Sequence, residues 1–466
     1  MLTGIIICFI LGYLTIVFEH PLKLDKTVPA LIMGALCWAL LAIAFHAGVL
    51  DVIDTHEHVF SLAANPAGDA LHDAEHGFTN LLLHHLGKTA EILIFLIGAM
   101  TIVEIIDLHL GFEVLKGYVK TKSKKKLLWI LGILAFILSA IIDNLTATIV
   151  LVTLLRKIIP NRTERLWFVG MIVIAANAGG AWSPIGDVTT TMLWIGNKVT
   201  SVGLVTYLVL PSIVCFVVPV FIASFLKPFQ GDITLDIKED VTSEKLLTSR
   251  TMLYLGLGAI VFVPVFKTLT HLPPYVGMML SLGLVWLVSE YIHPEEDFTE
   301  EKKARYSAHK ALSRIEMSSI LFFLGILMAV AALESTVFST VVINGAETPV
   351  GTLRYIAELL DRAIPNQDVV VILIGIASAI IDNVPLVAAS MGMYTSEIDS
   401  KLWHFIAYSA GTGGSMLIIG SAAGVAAMGM EKVDFIWYLK KIAWLAFVGF
   451  LAGAGAFLLL YNVIHG

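Results

Sequence analysis

The sequence contains little charge: Lys, Arg, Asp and Glu make up 14% of its 466 residues, whereas 57% are hydrophobic. Soluble domains carry about 25% charged residues, so this composition excludes an ordinary soluble fold. The chain contains about a dozen apolar stretches near the roughly 20 residues that cross a bilayer. We therefore expect an all-α polytopic membrane protein, with spans near residues 1–18, 28–46, 91–110, 127–158, 166–195, 203–226, 251–267, 274–290, 317–340, 368–394, 402–430 and 442–463.

Cysteine is also scarce, and the chain has no excess of basic residues. The three cysteines, Cys8, Cys37 and Cys215, lie in apolar stretches and have neither a metal-ligand nor a disulfide spacing. The net charge of −7 is spread over loops and indicates no nucleic-acid partner. The first apolar run has no basic n-region and no small-residue cleavage site, which favours a retained helix over a signal peptide.

The hexapeptide SAIIDN occurs twice, at 139–144 and 378–383, each time inside a long apolar run. An ionisable residue within a membrane is costly and usually marks a functional site. Two copies 239 residues apart suggest two related halves that face each other across one site.

Basic residues in the loops predict how the two copies are inserted, because they are retained on the cytoplasmic side. Lysine and arginine clusters flank 127–158 on both sides, so this stretch should be a re-entrant hairpin that enters from the cytoplasm. Residues 368–394 are flanked by acidic and amide residues, so the second hairpin should enter from outside.

Opposed hairpins indicate an inverted-topology repeat. We expect a first repeat at 1–226, a cytoplasmic linker at 227–250 and a second repeat at 251–466, with both termini external.

The hairpin tips are the predicted ion site. Carboxylate and amide oxygens are hard ligands that suit Na⁺ and not an anion, so we expect Na⁺ at Asp143, Asn144, Asp382 and Asn383. An alternative is that each Asp only caps the following half-helix. Nearby hydroxyls that add oxygens are Ser139, Thr146, Thr148 and Ser378, and Pro385 fits the start of the second half-helix.

A second wall of the site is predicted where two spans are interrupted by glycine and proline. Broken backbone is tolerated in a membrane where it lines protein or water. The first interruption contains Gly179, Gly180, Pro184 and Gly186, and it offers oxygens from Asn177, Ser183, Asp187, Thr189 and Thr190. Its partner at 409–421 keeps Gly413 and Gly414 but has no carboxylate. This asymmetry predicts that Asp143, beside the charged wall, is the least replaceable residue.

Three carboxylates gathered in a low dielectric bind either a proton or a cation, and this competition is sufficient for exchange. Glu104, and with it Glu91, is a candidate for a proton path, although a buried hydrogen bond explains Glu104 equally well. Residues 46–85 contain seven histidines, which indicates either a solvated external loop or a pH-sensing or metal-collecting segment.

The sequence resembles the NhaD-type sodium/proton antiporters of the ion transporter superfamily over nearly its whole length. Three motifs carry the resemblance: EHPLK at 19–23, SAIIDN in both hairpins, and NAGGAWSPIGDVTTTMLW at 177–194. The resemblance implies a carrier, not an enzyme, that exchanges Na⁺ and Li⁺ for H⁺ without a cofactor. It also implies an elevator-like fold with two re-entrant hairpins and two broken helices, dimerisation, and a place in the cytoplasmic (inner) membrane.

Two alternatives remain. An anion or arsenite transporter has the same fold, but the tips of such relatives resemble Ser-Asn-Thr, not Asp-Asn. An intramembrane aspartyl protease, suggested by Ile185, Gly186 and Asp187, gives no reason for the paired hairpins.

Overall fold

The computed structural model describes residues 1–55, 57–63, 69–119, 121–233, 247–292, 306–343 and 346–465. Within these ranges, seven helices are long and apolar enough to cross a membrane. The helices are α1 (Leu2–Val17), α2 (Glu19–Leu22), α3 (Thr27–His46), α4 (Asp69–Leu108), α5 (Lys124–Ile142), α6 (Asn144–Ile158), α7 (Arg162–Gly180), α8 (Val188–Ile195), α9 (Ser201–Ala223), α10 (Ser249–Thr270), α11 (Pro274–Tyr291), α12 (Ala308–Leu312), α13 (Met317–Glu334), α14 (Thr352–Ala363), α15 (Gln367–Ala377), α16 (Asn383–Met393), α17 (Lys401–Gly413), α18 (Ala422–Glu431), α19 (Phe435–Lys441) and α20 (Ala443–His465).

In the described part of the chain, two small antiparallel sheets accompany the helices. Strands β1 (Val52–Ile53) and β2 (Val59–Phe60) form one, and β3 (Val337–Ile343) and β4 (Ala346–Gly351) form the other. The fold is thus a helical membrane protein with two short β-hairpins that hydropathy did not predict.

The chain forms two compact units. The first comprises Met1–Leu93, Glu316–Val370 and Val384–Glu397, and the second comprises Ile94–Ile315, Val371–Asn383 and Ile398–Gly466. In the first unit α3 packs against α13, and the indole of Trp38 donates a hydrogen bond of 2.8 Å to the Met328 carbonyl. The second unit contains the first hairpin, both broken helices and the tip of the second hairpin.

The first hairpin enters and leaves on one face, as predicted. Its arms are α5 and α6, which meet at Asp143. Lys124, where α5 begins, lies 3.0 Å from Glu164, shortly after α6 ends. This end of the second unit carries Lys124, Arg156, Lys157, Arg162 and Arg165, and we call it the basic face.

Helix α9 runs from the basic face to the opposite end of the second unit. This helix of 23 residues is about 34 Å long. Beyond its carboxyl end, Phe229 packs on Phe168 near the basic face, with 5.0 Å between the ring centroids. The helix begins at the other end, next to Thr200, and we call that end the distal face.

The loop that follows the second hairpin is held at the distal face from Ile398 onward. Its arms, α15 and α16, have 11 residues each and are too short to cross a bilayer. The loop after α16 is fixed by Asp399, whose carboxylate accepts hydrogen bonds from the backbone N–H and the hydroxyl of Thr200 at 2.8 and 2.7 Å. The loop after the second hairpin is thus anchored at the end opposite the basic face, and entry of the two hairpins from opposite faces stays a prediction.

Three boundary predictions were wrong. The span expected at 91–110 is the carboxyl-terminal part of α4, which begins at Asp69 because its polar first half is also helical. The span expected at 317–340 ends at Glu334, and β-branched residues of the following segment form β3. The 46–85 segment is also not one loop, since His72, His76, His84 and His85 lie on α4.

His56 and residues 234–246 of the expected linker lie outside the described residues. Within the described ranges, there is no group of three or more His, Cys, Asp or Glu that could hold a metal ion.

Candidate functional site

Asp187 lies at the centre of the residues that the sequence singled out. Its side chain is 2% exposed. Oδ2 accepts a hydrogen bond from Nδ2 of Asn144 at 3.1 Å and another from Nδ2 of Asn383 at 3.3 Å. The asparagines at the tips of both hairpins thus converge on one carboxylate oxygen.

The break in the first interrupted helix positions this carboxylate. Helix α7 ends at Gly180, and Asp187 caps α8 by accepting a hydrogen bond of 3.0 Å from the Thr189 backbone N–H. A Cβ atom on Gly179 would collide with the Phe136 carbonyl oxygen of the first hairpin. Glycine is therefore required here for the hairpin backbone to lie against the broken helix. Pro184 and Gly186 lie in the turn between the two half-helices.

The tip of the first hairpin is held in an unusual conformation. Asp143 has φ +76° and ψ 159°, a region that is populated almost only by glycine. Its carboxylate caps α6, since it accepts hydrogen bonds from the Thr146 backbone N–H at 2.8 Å and hydroxyl at 3.0 Å. The predicted capping alternative is thus present at Asp143, which is half-buried, and the following residue, Asn144, reaches Asp187.

The two hairpins dock on their broken helices in the same way. Ser139 donates a hydrogen bond of 2.6 Å to the Ala176 carbonyl, and Ser378 donates one of 2.9 Å to the Ala410 carbonyl. At Gly413, as at Gly179, a Cβ atom would collide with a hairpin carbonyl, here that of Gly375. The repeated hexapeptides therefore occupy equivalent places.

The broken helices differ in one decisive residue. Ser421 caps α18 as Asp187 caps α8, with nearly equal backbone angles: φ −145° and ψ 154° against φ −148° and ψ 145°. Asn177 joins the two sides, because its Oδ1 accepts from Asn144 at 3.0 Å and its Nδ2 donates to Ser421 Oγ at 3.0 Å. The site is symmetric in backbone and has its buried carboxylate on one side, as predicted.

The remaining predicted residues lie in this second unit, except Pro385, which belongs to the first unit. Thr190 and Ser183 make local hydrogen bonds, to the Asp187 carbonyl at 2.9 Å and from the Ile185 N–H at 3.3 Å. Asp382 is half-buried at the second tip, Gly414 follows the end of α17, and Pro385 lies in the first turn of α16.

Two buried hydroxyl groups near these residues make no hydrogen bond in the described part of the chain. Thr189 Oγ1 and Thr148 Oγ1 are fully buried and have no hydrogen-bond partner among the described residues. Thr148 lies one turn after Asn144, and Thr189 lies two residues after Asp187. Buried polar atoms normally have partners, and hydroxyl, amide and carboxylate oxygens are the ligands of hard cations. This donor set fits a small hard cation such as Na⁺ or Li⁺.

Within the described ranges, neither Glu104 nor Glu91 has a hydrogen bond or ion pair with these residues. Glu104 lies 3.1 Å from Arg314, which also contacts Asp107 at 2.8 Å. Glu91 is half-buried on α4 in the other compact unit. A proton path through either residue stays a prediction.

Reasoning from sequence gave Ser421 no individual role. Aligning the two interrupted segments in sequence would have identified Ser421, because it occupies the position equivalent to Asp187.

Comparisons with known proteins agree with this architecture. The model of the family CitMHS, described as citrate transporter, matches residues 13–403. Sodium/proton antiporter 1 of Arabidopsis thaliana is 44% identical over 98% of this chain and 72% of its own length. The Na⁺/H⁺ antiporter NhaD of Alkalimonas amylolytica is 30% identical over 97% of this chain and 89% of its own. The crystal structure of the YdaH transporter of Alcanivorax borkumensis has a TM-score of 0.58 at 12% identity, covering 94% of this chain and 98% of that one.

Proposed function

The chain belongs to the citrate transporter family and, within it, to the NhaD-type antiporters, and on that basis we propose that it exchanges Na⁺ or Li⁺ for H⁺ across a membrane. The observation that carries the proposal is the single buried carboxylate of Asp187, bonded by the tips of both hairpins. Relatives that are named sodium/proton antiporters support the same reaction.

The exchange follows from competition for one set of oxygens. With a proton on the carboxylate of Asp187, the group is neutral and needs no counter-ion. When the proton leaves, the negative charge is buried, and a small cation offsets it. The Thr189 hydroxyl can then ligate the cation. The amides of Asn144 and Asn383 donate to the carboxylate when no cation is bound, and each must rotate to turn its oxygen toward the cation. Asp143 and Asp382, which are half-buried at the tips, add charge near the path of the ion.

The site is less suited to an oxyanion such as citrate or arsenite. Binding an anion requires donors or positive charge, and the amide groups of Asn144 and Asn383 already donate to Asp187. A buried carboxylate repels a second negative group.

The wider arrangement is part of the same proposal. We take 1–226 and 251–466 as the two repeats and 227–250 as their linker. Alternating access by elevator-like movement, a homodimer and a place in the cytoplasmic membrane are supported by the resemblance to NhaD-type antiporters. The basic face is assigned to the cytoplasm by the positive-inside rule. His465 lies 3.3 Å from Tyr207 at the distal face, which supports an external carboxyl terminus, and we assign the amino terminus outside as well.

Vesicles with an acidic interior and an internal pH dye test the reaction. We expect Na⁺ and Li⁺ to raise the internal pH in vesicles with the protein and not in vesicles without it, and we expect no response to citrate or arsenite. A response to citrate or arsenite with none to Na⁺ would overturn the proposal.

A further inference from the structure

A second buried carboxylate, Glu431, lies far from Asp187 along the chain, at the basic face. Its side chain is 1% exposed and accepts hydrogen bonds from Arg156 Nε at 2.6 Å and from Arg165 Nη2 at 2.8 Å. Removing one partner of a buried ion pair is strongly destabilising, because it leaves an uncompensated charge in the interior.

The arginines also bind the backbone where α18 ends. Arg162 donates to the Glu431 carbonyl at 3.0 Å and to the Lys432 carbonyl at 2.7 Å, and Arg156 donates to the Met430 carbonyl. These carbonyls form the negative end of the helix dipole, which cations stabilise. Arg165 donates in addition to the carbonyls of Ile159 and Pro160, just after the first hairpin.

These contacts join parts of the two repeats that both lead to the cation site. Helices α6 and α18 pack against each other. Helix α6 runs about 18 Å from Asn144 to Arg156, and α18 runs about 14 Å from Ala422 to Glu431. Each begins at the site, with Asp143 or Ser421 as its cap, and each ends at this cluster.

We propose that Glu431, with Arg156, Arg162 and Arg165, is a positioning clamp that fixes the register of α6 against α18 and thereby the geometry of the cation site. The clamp holds the far ends of the two helices. Their near ends place Asn144 and Ser421 on opposite sides of Asn177, which bonds to both. A shift between the helices would break this bridge, so the clamp acts on cation affinity without contacting the cation.

The link to cation affinity rests on the proposed exchange, whereas the packing effect does not, and two measurements separate them. The first is Na⁺-dependent exchange in vesicles, compared at equal amounts of inserted protein. We expect Glu431→Gln to raise the KM for Na⁺ at least fivefold while the maximal rate changes less than twofold, with Glu431→Asp in between. The matched control is Asp434→Asn, whose exposed carboxylate on the same loop caps α19 through the Trp437 N–H, and it should leave KM unchanged.

The second measurement is hydrogen exchange of the detergent-solubilised protein. In Glu431→Gln we expect faster exchange at 144–148 and 421–425, where the two helices begin at the cation site. Arg156→Gln, which removes a half-exposed partner, gives a milder variant for both measurements.

Faster exchange confined to 428–434, together with an unchanged KM, would overturn the clamp. A wild-type protein without Na⁺ exchange would instead overturn the proposed function, and hydrogen exchange would then decide on the clamp alone.

Discussion

Asp187 and Ser421 occupy equivalent positions in the two broken helices: each caps the half-helix that follows, with nearly the same backbone angles. In a fold of two inverted repeats, this is the place where the repeats differ in charge. Asp187 accepts hydrogen bonds from the asparagine at each hairpin tip, and Ser421 accepts one from Asn177. One carboxylate therefore serves a site that is built by both halves.

The tip asparagines should contribute to cation binding through this carboxylate. In Asn383→Ala, Asp187 loses a donor that orients it, at a cost of about 1.5 kcal/mol, which corresponds to roughly a tenfold higher KM for Na⁺. The measurement is the Na⁺ dependence of exchange in vesicles. Ser390→Ala is a suitable control, because this hydroxyl lies on the same helix and donates to the Leu386 carbonyl within it. Equal KM values for the two variants would contradict the role of Asn383.

Asp143 should tolerate loss of its charge better than Asp187. Its carboxylate caps α6, and an asparagine side chain keeps an oxygen that can accept the same hydrogen bond. We expect Asp143→Asn to retain measurable exchange under conditions in which Asp187→Asn has none. The sequence suggested the opposite order, with Asp143 as the least replaceable residue. Exchange in Asp187→Asn together with none in Asp143→Asn would contradict the prediction and support that order.

The opposed hairpins predict which loops are accessible from each side. A cysteine at Pro160 should be labelled from the basic face, and a cysteine at Glu397, beside the loop that Asp399 fixes to Thr200, should be labelled from the distal face. Membrane-impermeant maleimide on right-side-out and inverted vesicles measures this, in a background without Cys8, Cys37 and Cys215. Labelling of both positions from one side would contradict the inverted repeat.

Much of the membrane topology could be predicted from sequence, because the bilayer makes polar residues conspicuous. The duplicated SAIIDN and the glycines at 179–180 and 413–414 identified the hairpins and the broken helices. The lysine clusters identified the face at which the first hairpin enters. Each of these signals depends on local composition, which a membrane constrains strongly.

The parts that sequence did not predict depend on ambiguous composition or on long-range pairing. The amino-terminal half of α4 is polar, so hydropathy does not distinguish it from a loop, and the apolar run after Glu334 fits a helix or a strand. Glu431 meets Arg156 across 275 positions, which no local pattern indicates. The central place of Asp187 became visible only from the convergence of Asn144 and Asn383.

The measurement that tests the central claim most directly is proton release on Na⁺ binding to the purified protein in weakly buffered detergent solution. If Na⁺ and H⁺ compete for the carboxylate of Asp187, adding NaCl to the wild-type protein should release protons, whereas choline chloride should not. We predict that Asp187→Asn abolishes this release while the protein still folds, and that Asp434→Asn preserves it. Release of the wild-type size from Asp187→Asn would contradict the account.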